Sequence, residues 1–199
     1  MNFEKGYIYH VYNQGNNCRE IFFCRENYLF FLRKIRTYLL PYADVLAYCL
    51  MPNHFHWMVR VNETHRVTQS HPVSKSRSTN QSIAILLRSY TRAINKQNNT
   101  TGALFREETK AECINCSSGL KPSFIMQGGI TMAFTDIPEK QYPIVCFNYI
   151  HQNPVKAKLV SRATDWEFSS ALDYAGLRNG KLVNKELAME YIHPYILTR

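Results

Sequence analysis

The first part of the chain carries one strand-like and one helix-like pattern of hydrophobic residues. Residues 7–14 alternate aromatic or branched side chains with other residues, which predicts a first strand, and the polar residues 15–17 predict the turn that closes it. Between residues 25 and 40 the apolar positions recur about every 3.6 residues and stop at Pro41. This second pattern predicts a helix.

Two further strands are predicted immediately after this helix. Residues 45–50 form a short apolar run of strand length, and residues 54–61 form another. The turn-forming residues Met51, Pro52 and Asn53 lie between them. We therefore expect the two runs to pair as a β-hairpin.

The middle of the chain combines a polar segment with a second helix. Hydrophobic residues nearly vanish at about 62–82, which predicts a mobile surface loop. Helical spacing resumes at residues 83–97, and this helix carries Arg88, Arg92 and Lys96 at intervals of four. Such a basic stripe is either a solvated helix face or a set of contacts to phosphates.

The last part of the chain is less regular. Residues 104–114 predict a fourth strand, and residues at about 115–140, rich in glycine with little periodicity, are interpreted as an insertion. Pro143 fits the first turn of a helix that runs to about Gln152, and Pro154 is expected to end or kink it. A basic, partly helical tail follows. The order strand, helix, strand, strand, helix, strand predicts an α+β fold of the split βαβ type.

Length and charge narrow the class of protein. The chain has 199 residues, which favours a single domain over residues 1–199 that includes the loop, the insertion and the tail. There are 24 Lys and Arg against 15 Asp and Glu, a net charge of +9, and 13% of residues are aromatic. This balance favours a polyanionic partner with bases that can stack, such as single-stranded nucleic acid.

The sequence predicts a cytoplasmic protein. It has neither a basic leader followed by an apolar core nor an apolar run approaching the length of a membrane span, so no membrane partner is expected. The six cysteines are scattered, several within apolar runs, and are predicted to be free thiols.

His54 and His56 are the first candidates for chemistry. Side chains two residues apart on a strand share a face, so both imidazoles are expected to point the same way. Two neighbouring imidazoles can hold one metal ion. The alternative is that one or both are half-buried histidines of the sheet that are satisfied by hydrogen bonds.

Tyr149 and Asn153 are the second pair of candidates, because residues four apart lie on one face of a helix. A tyrosine hydroxyl can attack phosphorus when a metal polarises the phosphate. Tyr90 is the main rival nucleophile, since Arg88 and Arg92 flank it on a helix. Its alternative role is core packing.

Five stretches in this order resemble the HUH single-tyrosine transposases, and in particular the branch associated with repetitive extragenic palindromes. They are Tyr9-His-Val-Tyr-Asn-Gln-Gly15, Leu50-Met-Pro-Asn-His-Phe-His56, Gly102-Ala-Leu-Phe-Arg106, Tyr149-Ile-His-Gln-Asn-Pro-Val-Lys-Ala-Lys-Leu-Val160 and Trp166-Glu-Phe-Ser-Ser170. The match spans roughly residues 7–175. At position 106 this chain has Arg where the family frequently has Gln.

The resemblance implies a ferredoxin-like βαββαβ antiparallel sheet followed by a C-terminal helix that bears the nucleophile. It implies an enzyme that binds Mg²⁺ or Mn²⁺ and cuts single-stranded DNA beside a hairpin, forming a 5′-phosphotyrosine link. Carried onto this sequence, the nucleophile is Tyr149 and the metal ligands are His54, His56 and Asn153, with Gln152 as the rival to Asn153. A homodimer is possible in such a family.

Two other functions stay open from the sequence. The first is a module that binds single-stranded nucleic acid without cutting it, using the tyrosines and the basic stripe. The second is a metal-dependent phosphodiesterase in which water is the nucleophile, so that no covalent adduct forms. Replacing Tyr149 separates these functions from the transposase-like one.

Overall fold

The computed structural model describes residues 3–62, 77–116, 125–127, 130–132 and 138–192. The strands are β1 (Ile8–Gln14), β2 (Ala43–Met51), β3 (His54–Val61), β4 (Lys110–Cys113), β5 (Ile125–Gln127) and β6 (Ile130–Met132). The helices are α1 (Arg25–Tyr38), α2 (Thr79–Asn98), α3 (Pro138–Lys156), α4 (Ala171–Tyr174) and α5 (Lys185–Ile192). Two short 3₁₀ turns lie at Asn16–Cys18 and Ala163–Asp165.

The main sheet has four strands in the order β2-β3-β1-β4, and all of its neighbouring strands are antiparallel. Helix α1 connects β1 to β2, and α2 connects β3 to β4. This is the ferredoxin-like βαββαβ arrangement, so the predicted α+β fold class is confirmed. A separate two-stranded hairpin, β5-β6, lies within the segment interpreted as an insertion.

The two faces of the sheet have different covers because side chains alternate along each strand. One face presents Phe55 and Trp57 of β3, which pack with Phe31 of α1 and Tyr90 of α2. The opposite face presents Met58 of β3 in a second apolar cluster that is built with residues of α3 and α5. His10, Tyr12 and Gln14 of β1 and His54 and His56 of β3 lie on this second face.

The C-terminal tail covers the edge of the sheet. Strand β2 is an edge strand, and its open backbone groups bond to the tail: the Leu50 N–H donates to the Phe168 carbonyl, and the Ser170 N–H donates to the Tyr48 carbonyl, both at 2.9 Å. Helix α3 is tied to the same tail, since His151 Nε2 lies 2.7 Å from Ser170 Oγ. The tail thus both protects the edge and holds α3 against the sheet.

Several predicted boundaries were wrong in the middle of the chain. Helix α2 begins at Thr79, four residues earlier than predicted, because Ser78 and Gln81 form a capping box at its start. Residues 63–76 of the predicted mobile loop lie outside the described residues. The fourth strand is shorter than predicted and covers Lys110–Cys113, while Phe105 makes an isolated bridge to Gly15.

Helix α3 also differs from the prediction. It begins at Pro138 and continues to Lys156, so both Pro143 and Pro154 lie inside it. Pro154 lies in the last turn of the helix, which ends two residues later at Lys156. The Leu159 N–H closes that turn by donating to the Pro154 carbonyl at 2.9 Å.

The cysteine prediction was wrong for one pair. Cys113 and Cys116 are joined by a disulfide, because the turn after β4 brings their Cα atoms to 6.0 Å, which a disulfide can span. Cys18, Cys24, Cys49 and Cys146 are free. Within the described ranges, none of the helices combines the length and the apolar character that crossing a membrane requires.

The burial of His151 predicts a loss of stability in acid. Burial lowers the pKa of His151 from 6.5 to about 3, so the unfolded chain takes up a proton that the folded chain excludes. The free energy of unfolding should therefore fall as the pH drops from about 6.5 towards 4, by up to about 3 kcal/mol from this residue. Urea titrations of wild type and His151→Gln at pH 7 and pH 4 check this. Equal losses in the two proteins would contradict it.

Candidate metal and nucleophile site

The pairing of β1 with β3 brings four polar rings to the face covered by α3. Tyr12 is the register partner of His56, and Gln14 is the partner of His54. His10 lies two residues before Tyr12 and therefore shares the same face. Strand β4 adds Glu112, which is the register partner of His10.

His54 lies at the start of β3, and one of its two ring nitrogens already makes a hydrogen bond. Its Nδ1 lies 2.6 Å from Asn53 Oδ1, which can only accept a hydrogen bond, so Nδ1 carries the proton. Burial lowers the pKa of His54, so the ring is neutral at pH 7. Its Nε2 therefore presents a lone pair, which is the form that binds a metal ion.

His56 is paired with His10. The distance between His10 Nε2 and His56 Nδ1 is 2.9 Å, and the two rings are 8% and 6% exposed. Burial lowers the pKa of His10 to about 4 and that of His56 well below 6.5, so both rings are neutral and share one proton in this bond. When that proton is on His56 Nδ1, the Nε2 atom of His56 carries a lone pair that can bind a cation.

Helix α3 places Tyr149 and Asn153 over these rings. The Tyr149 ring centroid lies 5.3 Å from that of His56 and 5.9 Å from that of His10, and the residue is 38% exposed. Asn153 Nδ2 donates to the Tyr149 carbonyl at 2.9 Å. The Asn153 side chain lies beside His54 and raises its pKa, although burial lowers it by more. Gln152, by contrast, is exposed.

Lys156 and Tyr12 complete the surroundings of Tyr149. Lys156 Nζ lies 5.0 Å from the Tyr149 ring centroid, so a positive charge stands beside the phenol. The Tyr12 hydroxyl donates to Glu112 Oε1 at 2.8 Å, and burial with this bond raises the pKa of Tyr12 to about 12. Tyr12 is therefore held neutral, whereas the Tyr149 side chain reaches solvent.

Tyr90 and the basic stripe lie on the other side of the sheet. Tyr90 is fully buried in the apolar cluster, and its hydroxyl donates to the Ile21 carbonyl at 2.7 Å. Burial raises the pKa of Tyr90 far above its ordinary value. Arg88, Arg92 and Lys96 are exposed on α2, so the structure does not bring them to the histidine face.

The donor set fits a divalent cation. It consists of two neutral imidazoles and the amide oxygen of Asn153. No group of three or more His, Cys, Asp and Glu side chains in the described part of the chain has the spacing of a metal site. An amide oxygen that faces a neutral imidazole presents two electron-pair donors to the same space, which a cation satisfies.

Sequence reasoning missed His10, Tyr12 and Lys156 as members of this site. The alternation in residues 7–14 already put His10 and Tyr12 on one face, but it could not say which face met α3. Lys156 lies seven residues after Tyr149 and therefore on the same side of a helix. Because the helix was predicted to end near Gln152, Lys156 was not placed on it with Tyr149.

Comparisons with known proteins support the fold. No protein-family model matches the chain, and no curated protein matches it. Among solved structures the chain is similar to a REP-associated tyrosine transposase bound to a REP hairpin, with a TM-score of 0.56 over 89% of this chain and 86% of that chain. At 15% identity this likeness concerns the fold. It agrees with the family resemblance that the sequence motifs predicted.

The hydrogen bond between His10 and His56 predicts a role for His10 in metal binding. Replacing His10 by Phe keeps a flat ring but removes the nitrogen that orients His56, so affinity for Mn²⁺ should fall about 10- to 100-fold. Isothermal titration calorimetry of wild type and variant measures this. Tyr12→Phe is the matched control, since it changes a neighbouring ring without touching that bond. Equal Mn²⁺ affinity in His10→Phe and wild type would contradict the role.

Proposed function

We propose that this chain is a metal-dependent, transposase-like enzyme that nicks and transfers single-stranded DNA at sites flanked by hairpins. The observation that carries the proposal is the solvent-accessible Tyr149 ring 5.3 Å from His56, with Asn153 one helical turn further on and its side chain beside His54. A nucleophile next to a set of cation ligands is what phosphoryl transfer requires.

His54, His56 and Asn153 are the residues that would hold Mg²⁺ or Mn²⁺. Two nitrogen ligands suit Mn²⁺ better than Mg²⁺, which prefers oxygen. A bound cation would polarise the scissile phosphate and stabilise the leaving oxygen. The neutral state of both imidazoles keeps their lone pairs available at pH 7.

Tyr149 would act as the nucleophile toward the phosphate. Its oxygen forms the new bond to phosphorus, the bond from phosphorus to the 3′ oxygen breaks, and one proton passes from the phenol to the departing 3′ oxygen or to water. The product is a 5′-phosphotyrosine that a second 3′-OH can attack in strand transfer. Lys156 beside the ring favours the charge that develops on the phenol oxygen.

The choice of partner rests on charge and on the structural neighbour. A net charge of +9 favours a polyanion. The solved structure with a similar fold has a REP hairpin bound, which supports DNA with hairpin elements as the partner. A non-catalytic module that binds single strands is the second candidate, because Arg88 and Arg92 line a cavity away from Tyr149.

The nucleophile can be identified from the covalent adduct. Incubating the protein with Mn²⁺ and a labelled single strand that carries hairpins should give a denaturation-resistant protein–DNA adduct at Tyr149, located by mass spectrometry. Tyr149→Phe should lose it, because Phe keeps the ring but lacks the attacking oxygen. Tyr90→Phe and Tyr12→Phe are matched controls and should keep it. An adduct in Tyr149→Phe would reassign the nucleophile, and binding without any adduct in wild type would favour the binding module.

His54→Ala should separate chemistry from binding. It removes one ligand from the proposed cation site, so cleavage should fall by at least about 100-fold. Affinity for DNA should change by less than about three-fold, because it depends on many Lys and Arg contacts to phosphates. Gel cleavage assays and fluorescence anisotropy on the same strand measure the two quantities. Cleavage at the wild-type rate across an Mn²⁺ titration would rule out the ligand role.

A further inference from the structure

A cavity of about 540 Å³ lies along α2, on the sheet face opposite Tyr149. One wall is a single face of α2, built from residues three or four apart along the helix. The other wall consists of residues 102–107 and Thr109, and Asn13 of β1 also lines the cavity. The volume falls within the range of sites that bind small molecules and cofactors.

Three arginines converge on this cavity. Arg88 and Arg92 come from α2, and Arg106, whose Nη2 donates to Cys18 Sγ at 3.5 Å, comes from the opposite wall. Glu107 is the one carboxylate among the lining residues of the described chain. Within the same described residues, none of the three arginines forms an ion pair with a carboxylate. The cavity therefore carries a positive charge that favours an anionic ligand.

The floor of the cavity is apolar. Ile83, Leu87 and Phe105 line it, and all three are buried side chains of the core. A ligand that fits must combine an apolar, flat part with negative charge. A nucleotide has this combination, because its base is flat and its phosphate is anionic, and arginine can contact both parts.

The wall formed by residues 102–109 is held in place before any ligand binds. The Arg106 N–H donates to the Gln14 carbonyl and the Asn16 N–H donates to the Leu104 carbonyl, both at 2.9 Å. Asn13 Nδ2 donates to the Arg106 carbonyl at 3.2 Å, and Asn95 Nδ2 donates to the Gly102 carbonyl at 2.9 Å. Because the wall is already ordered, less conformational entropy is lost when a ligand binds.

The cavity lies at the same end of the sheet as His54. Phe105 bridges Gly15, and the Gly15 N–H donates to the Asn53 carbonyl, next to His54. Neighbouring strands are about 4.8 Å apart, so the backbones of Phe105 and His54 are separated by about 10 Å. A DNA strand held in the cavity has only this end of the sheet to cross before it reaches Tyr149.

We propose that this cavity binds unpaired nucleotides of the single-stranded DNA, with the bases on the apolar floor and the phosphates on Arg88, Arg92 and Arg106. The inference rests on the proposed function for the identity of the nucleic acid. Of the three residues of the predicted basic stripe, the proposal uses Arg88 and Arg92, because Lys96 does not line the cavity. Arg106 joins Arg88 and Arg92 instead.

The test compares two labelled probes of about a dozen nucleotides, a mixed-sequence single strand and a fully abasic strand with the same number of phosphates. Fluorescence anisotropy gives the affinity of each. Wild type should bind the strand with bases at least about ten-fold more tightly than the abasic strand. Ala84→Trp and Thr91→Trp each place a large side chain into the cavity without changing the charge. Both should bring this ratio close to one and leave affinity for the abasic strand within about two-fold.

The contribution of the arginine charges to binding is tested with the same two probes. The double variant Arg88→Gln, Arg92→Gln should weaken binding of both strands by about ten-fold and reduce the salt dependence by about two phosphate contacts. Lys96→Gln on the same helix is the matched control outside the cavity. It should weaken binding of either strand by less than about two-fold, and a loss as large as that of the arginine variant would contradict the role of the cavity arginines. Thermal melts followed by circular dichroism establish that each variant is folded.

The outcomes distinguish this inference from the proposed function. If folded Ala84→Trp and Thr91→Trp keep the wild-type ratio, the cavity does not bind bases, and the inference is wrong even where Tyr149→Phe abolishes the adduct. If the ratio collapses in both variants while wild type forms no adduct, the cavity binds nucleotides and the proposed catalysis is wrong. A wild-type ratio near one would also overturn the inference.

Discussion

The register between β1 and β3 is the constraint on which the candidate site depends. Side chains alternate between the two faces of a sheet, so a slip of one residue would move His54 and His56 into the apolar cluster and send Phe55 towards α3. The turn between β2 and β3 fixes the register, because the Ile21 N–H donates to the Pro52 carbonyl and the Gly15 N–H donates to the Asn53 carbonyl. Gly15 is required there, since a Cβ would lie 2.0 Å from the Arg19 carbonyl oxygen.

The buried histidines combine structure with chemistry. His10 and His56 satisfy one another through a hydrogen bond, and Asn53 accepts a hydrogen bond from His54. Burial keeps these rings neutral, which is the state that a cation site needs, at the expense of stability in acid. Helix α3 covers this face and packs on the sheet through Ile144, Phe147 and Ile150, and His151 also bonds to Ser170 in the tail along β2.

Much of the fold could be predicted from the sequence, because its elements have strong local patterns. Strand β3 has the predicted bounds, and α1 and β1 differ from prediction by at most two residues. The errors in the predicted bounds occurred where tertiary contacts overrode a local sequence rule. Proline was expected to begin and end α3, yet the helix extends past both prolines. The fourth strand was expected to be longer, but its pairing with β1 is interrupted between Phe105 and Lys110, where the chain lines the cavity.

The sequence by itself determined which residues of one element share a face, and so it grouped His54 with His56 and Tyr149 with Asn153. Only the tertiary structure decided which faces meet. It set Tyr149 beside the histidines and Tyr90 in the core, and it turned Asn153 rather than Gln152 towards His54. His10 became part of the site for the same reason. The periodicity of a helix or strand is a local property of the backbone, whereas the contact between two elements depends on the packing of the whole chain.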